Sequence, residues 1–327
     1  LAVELHPNNA TFLNALGNAC CTSGDLKAAV QHYRKALQLE PRASDIHFNL
    51  GMTLRLLGEA RDAVACFRSA TACDSQNVAA HFQAAIALSE LGEVEEAIAS
   101  CRHAIKANPD LAEAHVHLAK LLHRQGKLDD AILACTKACE LRPDLAEAHF
   151  HLGCCLWEKR KVNEAIAAYR RALEAQPDLK EAHSNLGLAL QEAGQFEDAA
   201  IAYREALARG SDASAVRLNL ALAHEQSGQV DEAIREYHAV LLRDPNHWSA
   251  EWGRCLALPI IYNDERELDA CEARWAEGLD HLLEEVSSGR VKDADQALAL
   301  LSWKTNFYLH YQGRDHTQLQ KRYGQLL

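Results

Sequence analysis

The sequence predicts an all-α solenoid of stacked helical hairpins, and three sets of residues kept in one phase predict it. A small residue recurs every 34 positions at Gly17, Gly51, Ala85, Ala119, Gly153, Gly187 and Ala221. Twelve residues after each stands an alanine, from Ala29, Ala63 and Ala97 through Ala131, Ala165, Ala199 and Ala233. A second in-phase set reads Ala36, Ala70, Ala104, Ala138, Ala172 and Ala206, then Val240. Small residues let antiparallel helices approach closely, and the larger residue between the sets fills the space left between successive hairpins. That larger residue is Tyr33, Phe67, Cys101, Cys135, Tyr169, Tyr203 and Tyr237.

Taken in order, Gly24, Gly58, Gly92, Gly126, Gly194 and Gly228 supply the turn within each hairpin, with Arg160 the exception. Pro7, Pro41, Pro109, Pro143, Pro177 and Pro245 end the second helices, with Ser75 and Ser211 in the two remaining slots. At this period the marks are those of the tetratricopeptide repeat, whose hairpins stack into a right-handed superhelix. Seven repeats follow: 10–43, 44–77, 78–111, 112–145, 146–179, 180–213 and 214–247. Residues 1–9 read as the remnant of a preceding repeat. The third repeat carries the smallest packing residues and is where flexing is expected.

After Pro245 the period fails. Residues 248–327 read as a helical cap or linker leading towards a further domain, as a solenoid end requires a polar cover. Trp248–Leu258 makes one more helix, broken by Pro259. Asp264 and Glu267 form a capping box for a helix with Leu268, Cys271, Trp275, Leu279, Leu282 and Val286 on one stripe. A shorter helix to about Leu301, an aromatic patch of Trp303, Phe307, Tyr308 and Tyr311, and a last helix capped by Asp315 and Gln318 complete the reading.

Composition narrows the function. The 327 residues carry a formal net charge of −12 and show no basic stripe, which argues against nucleic acid. No apolar run of membrane-spanning length occurs. The first residues carry neither Met nor a signal peptide, so the chain is expected to begin inside a longer protein. Eleven cysteines, an odd number, point to free thiols and a cytoplasmic setting.

No catalytic residue, cofactor site or metal site is expected: phosphate loops, nucleophile elbows and paired zinc motifs are missing. Neighbouring Cys20–Cys21 and Cys154–Cys155 point about 100° apart on a helix. His47, His81, His115, His149 and His183 recur at one place on the first helices, and the His-x-His pairs at 115–117 and 149–151 face about 200° apart. Histidines on neighbouring hairpins lie about 8–10 Å apart, too far for shared coordination. They are expected to pack or to hydrogen-bond between helices.

The informative position lies two residues before each small mark: Ala15, Asn49, Gln83, His117, His151, Asn185 and Asn219. Six of the seven are hydrogen-bonding side chains in mid-helix, where Asn costs about 0.5 kcal/mol relative to the best helix formers. First helices line the concave face of such arrays. Asn49, Gln83, His117, His151, Asn185 and Asn219 therefore form a candidate ladder that holds the backbone of an extended peptide. The alternative is that the amides brace adjacent helices. Asp45, Glu113, Glu147 and Glu181 make the groove acidic, with Lys120 and Arg124 as a basic exception. Ile86, Met52 and Cys154 stand where a clamp for a terminal carboxylate would need Asn or Lys.

The units AHFHLGCCLWEKRKVNEAIAAYRRALEAQPDL and AHSNLGLALQEAGQFEDAAIAYREAL resemble the repeats of the O-linked N-acetylglucosamine transferase and SPINDLY family. There an Asn before Leu-Gly forms an amide ladder for substrate polypeptide. Asn49, Asn185 and Asn219 match that motif, whereas Ala15, Gln83, His117 and His151 depart from it. The segments LPIIYNDERELDACEARWAEGL and NFYLHYQGRDHTQLQKRYGQLL are similar to the region joining repeats and catalytic domain in bacterial SPINDLY-like proteins. The resemblance implies the substrate-recognition region of a protein O-glycosyltransferase, with no catalytic residue to carry over. A stand-alone scaffold or co-chaperone adaptor is the alternative, and a regulator using Cys and His a third. The expected partner is a protein or extended peptide in the groove. Dimerisation stays open.

Overall fold

The computed structural model describes residues 9–257, 265–288 and 321. Residues 1–8 and the elements expected between 289 and 320 lie outside them, as do the aromatic patch and the Asp264 member of the capping box. Every element among the described residues is an α-helix. The chain divides into two compact units, Leu1–Arg160 and Lys161–Leu327.

In the first unit, α1 (Ala10–Thr22) and α2 (Leu26–Leu39) form a hairpin, followed by α3 (Ser44–Leu56) with α4 (Ala60–Cys73) and α5 (Val78–Glu90) with α6 (Val94–Ala107). The hairpin of α7 (Ala112–Arg124) and α8 (Leu128–Leu141) is next, and α9 (Ala146–Glu158) closes the unit. The second unit opens with α10 (Val162–Ala175). It continues with the hairpins α11 (Lys180–Glu192) with α12 (Phe196–Ala208) and α13 (Ala213–Gln226) with α14 (Val230–Leu241). There follow α15 (Trp248–Leu256) and α16 (Glu265–Ser287).

Local chemistry starts and stops these helices. Asn9, Asp25 and Asn77 cap their helices by accepting from the backbone N–H three residues on, at 2.9, 3.0 and 2.9 Å. At the α3 end, Gly58 N–H donates to Arg55 O (3.0 Å) and Glu59 N–H to Leu54 O (2.9 Å). That pair of bonds needs a left-handed residue between them, and Gly58 supplies it with φ 81°. Arg160 takes the same conformation with φ 62°, against the steric preference of a side chain with a Cβ.

The histidines recurring on the first helices explain how the turns between repeats are held. The Nε2 atoms of His47, His115 and His183 lie 2.9 Å from the carbonyls of Pro41, Pro109 and Pro177. His149 reaches Pro143 at 3.0 Å and His81 reaches Ser75 at 3.2 Å. A carbonyl only accepts, so each Nε2 carries the proton and donates. Each ring clamps the turn that precedes its own helix.

The core follows the repeat marks. Ala29, Ala36, Ala63, Ala97, Ala104, Ala131 and Ala138 are completely buried, as are Phe67, Cys101 and Cys135. Small mark and large residue are matched in volume in the first four repeats, whereas in the last Ala221 goes with Tyr237 and it is Gly253 that packs against that ring. Where the mark is Gly51, the Phe67 ring occupies the place of the missing side chain: a Cβ there would fall 2.7 Å from a ring carbon. Where the mark is Ala85 or Ala119, the opposing residue is Cys101 or Cys135. In the second unit, Trp252, Cys255 and Leu256 of α15 pack on Trp275, Leu279 and Leu282 of α16. Val286, read from the sequence as part of that apolar stripe, is instead exposed.

Candidate functional site

The first helices of neighbouring hairpins lie side by side within each unit, and bonds between residues 35 apart tie them. Arg55 pairs with Glu90 at 3.0 Å, His123 with Glu158 at 2.6 Å, and Gln191 donates to Gln226 at 2.8 Å. The candidate rungs sit on this layer because a step of 34 residues returns each to the same place on its helix.

In the first unit the rungs differ in state. Ala15 is exposed and offers no polar group. The Asn49 Nδ2 donates to Asn14 Oδ1 at 3.0 Å, and Asn14 Nδ2 donates on to Asp45 Oδ2 at 3.2 Å. Asn49 thus braces α3 against α1, which is the alternative the sequence left open for these amides. Gln83 and His117, the next two rungs, hold buried polar atoms with no partner among the described residues, Oε1 and Nε2 respectively. The His117 ring stands edge-on to Phe82 with centroids 6.0 Å apart. Burial lowers the His117 pKa below 6.5, against the opposing pull of the Ala85 backbone carbonyl. His151 stands 3.8 Å from Glu147, beyond hydrogen-bond reach, whereas Lys120 bonds the same carboxylate at 3.1 Å. His151 and Lys120 together pull the Glu147 carboxyl down to about 2.

In the second unit Asn185 and Asn219 occupy the rung position of α11 and α13, both partly exposed. Among the described residues the Asn219 side chain makes no hydrogen bond, and it borders a cavity of about 200 Å³. The sequence singled out the rungs but missed Asn14, which carries no repeat signature and matters only through its distance to Asn49. It also missed the cavity, whose signal was the pair Trp252–Gly253 standing 34 residues after Leu218–Asn219.

The thiols are not alike: burial raises Cys101 and the half-buried Cys66, whereas a hydrogen bond with Cys135 lowers Cys155. Burial pushes Cys101 up to about 12 and Cys66 to about 11. Among the described residues no group of three His, Cys, Asp or Glu is placed to hold a metal ion, and no helix is long and apolar enough to cross a membrane.

Two family models match the chain. One, described as TPR repeat, matches residues 17–58 and 156–194. The other, described as Tetratricopeptide repeat, matches 48–111, 82–146, 184–247 and 218–258, more than half of the sequence. No curated protein matches. Among solved structures, a tetratricopeptide repeat protein from Parabacteroides merdae is similar with a TM-score of 0.55 at 15% identity, over 81% of this chain and 98% of its own. PilF of Pseudomonas aeruginosa has a TM-score of 0.54 at 17% identity, over 62% and 92% of the two chains. PilW, a type IV pilus biogenesis factor, has a TM-score of 0.53 at 24% identity, over 62% and 94%. At these identities the likeness speaks for the fold alone.

Proposed function

Because the chain belongs to the tetratricopeptide-repeat family, a family of protein-binding scaffolds, we propose that the first-helix layer of each unit holds extended polypeptide, through Gln83, His117 and His151 in the first unit and Asn185 and Asn219 in the second. Asn49 joins them where the ligand competes with Asn14. The observation that carries this reading is a pair of buried polar atoms without partners, among the described residues, on two adjacent rungs. Gln83 Oε1 and His117 Nε2 on neighbouring hairpins have no partner, and the Asn219 amide makes no bond among the described residues. Each buried unmet polar atom costs about 1–3 kcal/mol, and a native structure carrying two on adjacent rungs points to a ligand that meets them. Peptide backbone has the needed donors and acceptors at every residue.

The test replaces Gln83, His117 and Asn219 together by Ala and measures binding of unstructured 20-residue peptides of unrelated sequence. Affinity is expected to fall by a similar factor for all of them, at about 0.5–1.5 kcal/mol for each lost bond. Unchanged affinity with a lowered melting temperature would mean that the side chains serve the fold only.

The finer reading is that this polypeptide is the acceptor of a protein O-glycosyltransferase. It is supported by the Asn-Leu-Gly triplets at Asn49, Asn185 and Asn219 and by the two segments near the C-terminus that resemble SPINDLY-like proteins. A second reading, a scaffold with no enzyme attached, is favoured by family models that match the repeat and nothing else. The coding sequence beyond residue 327 separates them: a nucleotide-sugar-binding domain there supports the first, and its absence supports the second.

A further inference from the structure

The row of polar rungs in the second unit ends in a cavity. Leu218, Asn219 and Leu222 of α13 form one wall, Tyr237 of α14 the floor, and Ser249 and Trp252 of α15 the far side. Gly253 stands where the next rung would be, and a Cβ on it would fall 2.3 Å from a carbon of the buried Tyr237 ring. The Tyr237 ring takes the place of a side chain at 253, and Gly253 lines the cavity with backbone alone.

Size and chemistry say what would enter. The cavity measures about 200 Å³, and a cavity of about 150 Å³ with aliphatic and aromatic walls is enough for benzene. None of its lining residues is charged. The lining is not purely hydrocarbon, however. Asn219 brings an amide with no bond among the described residues, and the Trp252 Nε1–H is buried without an acceptor. An apolar chamber beside an open amide suits a side chain still attached to its backbone better than a free hydrocarbon.

We propose that this cavity receives one bulky apolar side chain, aromatic or branched aliphatic, of the same extended polypeptide whose backbone the Asn219 amide holds. The inference rests on the ladder reading above and adds a sequence preference to it. A backbone ladder binds all sequences alike, whereas this cavity selects the residue seated at the end of the row.

The experiment uses the full chain and fluorescently labelled 12-residue peptides of Gly, Ser and Thr carrying one central Phe, Ala or Asp, read by anisotropy. Burial of a phenyl group predicts that the Phe peptide binds about tenfold tighter than the Ala peptide, or more, with Asp no better than Ala. Ser249→Phe fills the cavity and should erase the difference, so that the Phe and Ala peptides bind alike. Leu222→Trp fills it from α13 should the first variant fold poorly by circular dichroism. Asn219→Ala should weaken both peptides by the same factor. Equal binding of Phe and Ala peptides to the unaltered chain, with Asn219→Ala still weakening both, overturns the cavity proposal and leaves the ladder standing. A Phe preference that survives both filling variants overturns it as well, assigning the preference to another surface. A Phe preference abolished by filling but untouched by Asn219→Ala supports the cavity and sinks the ladder. Failure of every peptide to bind overturns both.

Discussion

Gly51 and Phe67 make a quantitative test of how the repeats are packed. An alanine at 51 would place its Cβ at 2.7, 2.9 and 3.1 Å from three carbons of the Phe67 ring. Real contacts do not go below about 3.0 Å, so the ring must move within a fully buried site. Overpacking of this kind costs about 1–3 kcal/mol, and replacing a mid-helix Gly by Ala returns about 1 kcal/mol. Gly51→Ala should therefore destabilise by about 1 kcal/mol net. Phe67→Cys alone opens a void and should cost about 3 kcal/mol. The double variant recreates the Ala–Cys pairing found at Ala85–Cys101 and Ala119–Cys135, where both partners are buried without strain. In it the clash is gone, the helix gain remains and the new methyl fills part of the void, for a total near 1–2 kcal/mol. The two changes should thus couple favourably by about 2 kcal/mol, well outside the additivity expected of independent sites. Repeat arrays need not unfold in one step, so native-state hydrogen exchange of the α3 and α4 amides is the suitable assay. Costs that add to within about 0.5 kcal/mol would refute volume matching as the rule linking the small mark to the large slot.

Acidification should lower the melting temperature between pH 7 and 5. His81, His117 and His224 are held below 6.5, chiefly by burial, so the unfolded chain takes up protons before the folded one. That stability is complete above about 6.5 and is lost as pH falls towards the folded values. His224 Nε2 faces the Arg204 guanidinium at 3.1 Å while Nδ1 lies 2.7 Å from Gln229 Oε1, so His224→Gln should flatten the dependence, and an unchanged pH profile would count against it. Arg160→Gly removes a left-handed residue with a Cβ and should raise the melting temperature by about 1 kcal/mol of stability; a fall would mean that contacts of the Arg160 side chain outweigh the strain. His115→Ala deletes the bond to Pro109 O and should cost about 0.5–1.5 kcal/mol, seen as faster amide exchange at the start of α7; unaltered exchange would deny the clamp. Cys101, completely buried with its thiol raised to about 12, should react with iodoacetamide only after unfolding, as read by mass spectrometry.

Sequence alone determined the all-α class, the 34-residue period and the packing slots, because packing of identical hairpins demands the same volume at the same position each time. Gly17, Ala29 and Ala36 announce their roles by recurring in phase, and the rung from Asn49 to Asn219 was legible for the same reason. Periodicity says which residues share a place, but not what each one touches. Asn49, Gln83 and Asn219 are equivalent by phase, yet Asn49 donates to Asn14, Gln83 Oε1 has no partner among the described residues, and Asn219 faces a cavity. Those differences arise from neighbours that do not repeat: Asn14 on α1 and the Trp252–Gly253 pair on α15. The histidines follow the same division. Their recurrence was visible, but that Nε2 reaches back to a carbonyl six residues earlier depends on the turn conformation that precedes each helix. Hydrogen bonds are decided over fractions of an ångström, and only the tertiary structure fixes distances at that scale.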